Sequence, residues 1–292
     1  MRRPRRTWQA GVTAAKVIRD HRVEELPVDP ISLARRVGIE VIEKPREAKG
    51  VSGMLIRVGN EFSIVYATHV NNVGFQNFSV AHELGHYFLQ GHSDAVLDGT
   101  GIHQSRAGFV SDDRYEREAD CFAAHLLMPP KLFSAAMRTA GDGLQVITRL
   151  AGVCRTSLTA TAIRVVQLCP DPMAIVISRA ATVDFCFLSD ALMEVDGLNW
   201  IRKGSRLNAD TTTLGFNQDR DRIRRAERVE GESDLRDWFG GELSVQVKEE
   251  IVGLGRTGKT LTVLTAEDLL EKLEQTREEE KLREAWRPKF RL

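Results

Sequence analysis

The chain has 292 residues, which is enough for about two domains. Lys plus Arg and Asp plus Glu both number 41, so the overall charge does not favour nucleic acid or a membrane surface. Basic residues cluster only locally, in MRRPRR at the start and RDRIRRAER at 220–228. No signal-peptide pattern and no long apolar run are present. We therefore expect a cytoplasmic protein without a membrane partner, with its four cysteines reduced.

The first predicted elements are a helix over Thr7–Arg22 and a short helix that Asp29 and Pro30 begin and Gly38 ends. Three runs of strand-like composition follow, namely IEVIEK, SGMLIRV and EFSIVYAT. This order of helices and strands predicts an α+β domain with a small sheet.

Two long helices are predicted next. The first covers residues 72–90 and is closed by Gly91, and a polar loop at 93–111 follows it. The second runs through DDRYEREADCFAAHLLMPP and ends where Pro129 and Pro130 interrupt it. With the small sheet, these helices complete a domain over residues 1–140.

The rest of the chain has three predicted parts. Residues 141–169 resemble a helix-turn-helix with Gly152 at the turn. Residues 170–265 hold four strand-like runs, MAIVISRA, VDFCFLS, LSVQVKEEIV and KTLTVLT. Residues 266–292 are predicted to form a charged helical tail.

The segment FSVAHELGHYFLQGH at residues 78–92 contains the pattern His-Glu-x-x-His. On a helix, His82 and His86 lie on one face, so both imidazoles can bind one ion. Glu83 lies near the edge of that face, where it can hold a water molecule rather than the ion. The pattern indicates a metal site with Glu83 as general base, and the alternative is a helix with two partly buried histidines.

The third protein ligand has two candidate sources. His92 follows His86 by six residues, the spacing of HExxHxxGxxH, but Leu89 stands where that pattern has glycine. A helix that continues through Leu89 would carry His92 away from the ion, so the sequence favours a ligand from the second helix.

On that second helix, Glu116 and Asp120 are four residues apart and face one way, while Glu118 is predicted to face the other way. We favour Glu116 as the ligand. Asp120 would not bind the ion itself but would accept a hydrogen bond from the second N–H group of a ligand histidine. Glu118 and His92 remain alternatives. The other histidines are predicted to be ordinary surface or core residues: His21, His69, His103 and His125.

Three segments together resemble the ImmA/IrrE family of metallopeptidases, over roughly residues 1–170: PVDPISLARRVGI, FSVAHELGHYFL and EREADCFAAHLLMP. The resemblance implies a minimal gluzincin domain with His82, His86 and Glu116 as ligands and Glu83 as base. One departure is QNFSVAHE, where the family often has an arginine near the phenylalanine.

The resemblance also implies a protein partner. Family members typically cleave a helix-turn-helix repressor, often encoded next door, and thereby switch on a stress response or a mobile element. Some relatives carry a GAF-like sensor, for which residues 170–265 are a candidate.

The expected reaction is zinc-dependent hydrolysis of a peptide bond, although Mn²⁺ or Fe²⁺ also suits such ligands. The strand with Phe62, Ile64 and Tyr66 is a candidate to bind an extended substrate by strand addition.

GLGRTGKT at 253–260 matches the phosphate-binding pattern GxxxxGK[ST]. The confirming context is a preceding apolar strand and a helix that starts at the lysine. Here LTVLT follows and alternates as a strand does, so we expect a hairpin turn and no bound nucleotide.

The alternative function is a DNA-binding regulator that uses residues 144–168, with the peptidase site secondary. Its candidate contact residues are Arg155, Thr156, Ser157 and Thr159. The second helix has few basic residues, so the sequence favours packing or partner recognition over DNA binding.

Overall fold

The computed structural model describes residues 5–44, 50–97, 99–105, 113–266, 268–269 and 278. The chain divides into two compact units, residues 1–141 with 145–164 and residues 142–144 with 165–292. Each unit contains one sheet, so the predicted α+β class is confirmed. No helix among the described residues has the length and apolar character that crossing a membrane requires.

The first unit is built around a four-stranded sheet of order β1-β3-β2-β4, in which only the β1–β3 pair is parallel. Its strands are β1 (Glu40–Lys44), β2 (Gly53–Val58), β3 (Glu61–Ala67) and β4 (Ile102–Ser105). Its helices are α1 (Arg5–Asp20), α2 (Pro30–Arg36), α3 (Val73–Phe88), α4 (His92–Val96), α5 (Arg114–Leu127) and α6 (Pro130–Met137). The unit also holds most of α7 (Gly143–Cys154) and α8 (Leu158–Leu168).

The close approach of α3 and α5 is what positions the site. A Cβ atom at Gly85 would lie 3.1 Å from Cα of Ala119, so glycine lets the two helix backbones meet. The fully buried side chains of Leu84 and Phe122 pack in the core beside this contact. Burial of such side chains contributes roughly 1.5–3 kcal/mol each.

Three predictions about the first unit are wrong in detail. Helix α3 ends at Phe88, because Leu89 is extended and Gly91 adopts a left-handed φ of 76°. The segment predicted as a loop contains α4 and β4. Gly152 lies inside α7, and the turn before α8 is made at Arg155, whose φ is 52°.

The second unit has a five-stranded antiparallel sheet of order β6-β5-β9-β8-β7. Its strands are β5 (Met173–Arg179), β6 (Thr182–Leu188), β7 (Arg228–Asp234), β8 (Gln246–Gly253) and β9 (Thr260–Thr265). Its helices are α9 (Asp190–Met193), α10 (Thr212–Asn217), α11 (Arg220–Arg224) and α12 (Leu235–Phe239). Four of the strands match the predicted runs, and β7 was not predicted because its charged sequence lies at the sheet edge.

The GLGRTGKT segment forms the predicted hairpin connection. Strand β8 ends at Gly253, a 3₁₀ turn covers Gly255–Thr257, and β9 begins at Thr260, antiparallel to β8. Lys259 forms an ion pair with Asp184 at 2.9 Å. The predicted C-terminal helix over 266–292 lies almost wholly outside the described residues.

Candidate metal centre

Helix α3 brings the two histidines of the His-Glu-x-x-His pattern together. The Nε2 atoms of His82 and His86 are 3.0 Å apart, and both side chains are almost completely buried. Spacing by four residues places both rings on one side of the helix, as the sequence predicts. Each ring thus directs the same nitrogen to a common point.

Helix α5 contributes a carboxylate to that point. The Oε atoms of Glu116 lie 3.3 Å from Nε2 of His82 and 3.4 Å from Nε2 of His86. The edge strand β4 adds His103, whose Nε2 is 3.1 Å from Oε1 of Glu116. Ligand atoms of all four residues lie within 4.8 Å of one another, so the group can hold a metal ion.

Sequence reasoning assigned His103 to the ordinary histidines. The structure places it in the cluster because β4 pairs with β2, with His103 opposite Leu55. The signal available in the sequence was a four-residue run, IHQS, inside a glycine-rich segment. A run that short gives no reliable strand alternation.

Side chains behind the cluster orient the two histidines of α3. The Nδ1 atom of His82 lies 2.8 Å from Oδ1 of Asp120, the contact expected of a residue that fixes the ring. The Nδ1 atom of His86 lies 3.4 Å from Nδ1 of His92, and Nε2 of His92 lies 3.0 Å from Oε2 of Glu118. Both ligand rings therefore have a partner on the side away from Glu116.

This arrangement corrects the predicted path of the chain after α3. Leu89 does not continue the helix, and the turn at Gly91 returns His92 to His86, on the nitrogen that faces away from Glu116. The side chain of Glu118 is only 13% exposed, and its contact is with His92.

Glu83 is the unpaired member of the site. Its side chain is fully buried, and neither carboxylate oxygen has a hydrogen-bond partner among the described residues. A Cβ atom at Gly53 would lie 2.5 Å from Oε1 of Glu83, so glycine at the start of β2 makes room for this carboxylate. Burial raises the pKa of Glu83.

The two α3 histidines differ in proton affinity. Burial alone would lower the pKa of His82, but hydrogen bonds to Asp120 and Glu116 outweigh it and raise that pKa to about 10. Burial lowers the pKa of His86 to about 4. Without an ion, His82 is therefore charged and His86 neutral at neutral pH, while contact with Glu116 raises the pKa of the third imidazole, His103.

The residues predicted to bind substrate by strand addition do not lie at a sheet edge. Strand β3, with Phe62, Ile64 and Tyr66, is hydrogen-bonded to β1 on one side and β2 on the other. The prediction is wrong because β1 pairs in parallel with β3, which the sequence did not reveal. The hydroxyl of Tyr66 donates to Oε1 of Glu43 at 3.0 Å.

Some of the predicted DNA-contact residues also make contacts within the first unit. The hydroxyls of Thr156 and Thr161 are 2.7 Å apart, and Asn77 donates to the carbonyl of Arg155. A Cβ atom at Gly74 would lie 2.8 Å from the backbone carbon of Thr156, so the start of α3 covers the start of α8. The side chain of Arg155 is exposed, so DNA contact by this segment stays a prediction.

Comparisons with known proteins give a matching domain family and a similar fold. A search of curated proteins gives no match. Among solved structures, a Mycobacterium tuberculosis transcriptional regulator has a similar fold, with a TM-score of 0.56 and 15% identity, over 88% of this chain and 76% of that one. The Peptidase_M78 family model, described as the IrrE N-terminal-like domain, matches residues 34–165, which include all four residues of the cluster. The chain therefore contains an IrrE N-terminal-like domain of the Peptidase_M78 family, the family that its HELGH and EREAD segments indicate.

Proposed function

We propose that the chain is a zinc-dependent endopeptidase with Glu83 as its general base. The observation that carries this proposal is the buried, unpaired carboxylate of Glu83 beside the His82, His86 and Glu116 cluster. A buried carboxylate without a partner is costly for stability, so its position favours a role in chemistry.

The donor set fits the ion. Two imidazoles and one carboxylate are the ligands of many catalytic zinc sites and leave a position for water or substrate. When bound there, Zn²⁺ would supply a Lewis acid that polarises the peptide carbonyl and acidifies water. Glu83 then accepts a proton from the attacking water and passes it to the leaving amine.

His103 receives a separate role in this proposal. The three residues His82, His86 and Glu116 suffice as protein ligands, and His103 reaches the cluster from a different element, β4. We assign it to hydrogen-bond the oxygen that becomes negatively charged as the carbonyl is attacked.

Strand β4 is also the better candidate for binding an extended substrate. It is the terminal strand of the sheet as far as the described residues extend, and it carries His103. Backbone pairing at an open edge binds a peptide with little side-chain selectivity.

The proposed substrate is a helix-turn-helix repressor, whose cleavage would derepress a stress-response or mobile-element regulon. The ImmA/IrrE resemblance and the family match at residues 34–165 support this substrate. The second unit is the candidate sensor, and its five-stranded antiparallel sheet is compatible with a GAF-like domain.

Incubation with the product of a neighbouring repressor gene, with and without chelator, tests the proposal. Glu83→Gln keeps the shape of the side chain and removes the base, so we expect cleavage to fall about 10²–10⁴-fold with metal content unchanged. Cleavage that persists in Glu83→Gln would refute the mechanism. Operator DNA binding without any cleavage would favour the regulator alternative.

A further inference from the structure

A cavity of about 620 Å³ in the second unit is lined by four arginines. Arg179 ends β5, Arg220 and Arg224 lie on α11, and Arg256 lies in the 3₁₀ turn between β8 and β9. The fold brings together residues that are up to 77 positions apart in sequence (256 minus 179). No Asp or Glu is among the described residues that line the cavity.

The charges of these arginines are not compensated within the described part of the chain. None of the four forms an ion pair with a described carboxylate, whereas Arg222 and Arg225 of the same segment both pair with Glu227. Four guanidinium groups around one cavity repel each other unless an anion lies between them. The arrangement therefore favours a ligand with several negative charges.

The frame of the cavity is fixed by hydrogen bonds and close packing. The buried side-chain amide of Asn217 donates to Oγ of Ser178 at 2.9 Å and to the carbonyl of Ala180 at 2.8 Å. A Cβ atom at Gly253 would lie 2.5 Å from the carbonyl oxygen of Ile223, so glycine lets β8 meet α11. A fixed frame reduces the entropy lost when a ligand binds.

The hairpin turn belongs to the cavity wall but is not a nucleotide-binding loop of the GxxxxGK[ST] type. Gly255 and Gly258 have left-handed φ values of 60° and 65°, and the turn places Arg256 at the cavity. Lys259 is paired with Asp184 and does not line the cavity. Recognition here would depend on guanidinium groups, which form paired hydrogen bonds with phosphate oxygens.

From these observations we propose that the cavity binds a small ligand with two or more linked phosphate groups. Its volume lies within the range of roughly 300–1,000 Å³ that is typical of small-molecule sites. A concave site suits a compact polyphosphate better than the extended backbone of a DNA duplex. The second unit would then be a ligand-binding unit independent of the metal centre.

Calorimetric titration of the full chain with inorganic triphosphate tests this proposal. The titration is run with and without excess chelator, since triphosphate could otherwise produce heat by removing an ion from the metal centre. We expect binding in both conditions, weakened roughly tenfold or more by Arg224→Ala and by Arg256→Ala. The matched control is Arg225→Ala, which removes a neighbouring arginine that does not line the cavity.

Three results would overturn the proposal. The first is no binding at millimolar triphosphate by a wild-type chain whose circular dichroism shows that it is folded. The second is an equal loss of affinity in Arg225→Ala, which would indicate general attraction rather than a site. The third is duplex DNA that binds more tightly than triphosphate through the same arginines, which would assign the surface to nucleic acid.

Discussion

In the first unit the ionisable side chains of the metal centre are buried or half-buried and contact one another, whereas in the second unit four arginines line a cavity without a described carboxylate partner. The metal centre combines imidazoles with carboxylates, so side chains that can carry either sign of charge lie side by side there before any ion binds. The arginine cavity contains one sign of charge only.

The two sites differ in how their side chains are held before a charged ligand binds. In the metal centre, Asp120 and His92 hold the rings of His82 and His86 in place, and the carboxylate of Glu83 has no hydrogen-bond partner among the described residues. In the cavity, the arginines are exposed to water, which reduces the cost of leaving them unpaired. Removing a side chain should therefore have large effects in the metal centre and small ones in the cavity.

The largest expected effect is on metal affinity, in a series of glutamine variants of the first unit. Glu116→Gln removes a charged ligand and should weaken zinc binding by more than about a hundredfold. His92→Gln removes the partner of His86 and should weaken it about 10–100-fold. His103→Gln should leave affinity nearly unchanged and lower turnover.

Competition with a chromophoric chelator measures this order. A His103→Gln variant that loses zinc as completely as Glu116→Gln would make His103 a fourth ligand. Unchanged affinity in His92→Gln would show that the contact behind His86 does not orient the ring.

Much of the metal centre was predictable because helical spacing determines it. His82, Glu83 and His86 follow from one helix, and Glu116 and Asp120 follow from the same rule on the next. His103 was not predictable as a member of the site, and His92, which the sequence offered only as an alternative ligand, was not predictable as the partner of His86. Their positions depend on the left-handed turn at Gly91 and on the pairing of β4 with β2, a contact between distant segments.

The fold shows the same division between local and distant information. The strand runs of both units and the hairpin at 253–260 follow from local alternation. The position of β3 inside its sheet, and the assembly of Arg179, Arg224 and Arg256 around one cavity, depend on strand order. Strand order is set by tertiary packing, so local sequence patterns do not contain it.

A smaller effect should appear in the pH dependence of metal binding. The pKa of His82 is raised to about 10, so this imidazole is protonated at neutral pH and must lose a proton before Nε2 can bind an ion. Zinc affinity should therefore rise about tenfold per pH unit between roughly pH 6.5 and 8. An unperturbed histidine, with a pKa near 6.5, would raise the affinity only about twofold over that interval.

Calorimetry in two buffers of different ionisation enthalpy should detect release of about one proton per zinc ion at pH 7. In Asp120→Asn the acceptor loses its charge, so the pKa of His82 should fall and zinc affinity should stop rising at a lower pH than in the wild type. A plateau that begins at the same pH in both proteins would contradict the role assigned to Asp120.

The smallest expected effect tests the uncompensated charge of the arginine cavity. Arg220 and Arg224 are four residues apart on α11, and like charges at that spacing destabilise a helix by about 0.2–0.5 kcal/mol. Arg224→Ala should therefore stabilise the ligand-free chain slightly, although most substitutions destabilise. Arg225→Ala removes an arginine that pairs with Glu227 at 2.9 Å, so it should give no such gain.

Urea unfolding of the two variants and the wild type at low and high salt measures the difference in stability, and the gain should shrink as salt screens the repulsion. If Arg224→Ala destabilises the chain at every salt concentration, the four arginines do not repel one another enough to affect folding. That result would contradict the uncompensated charge inferred for the cavity.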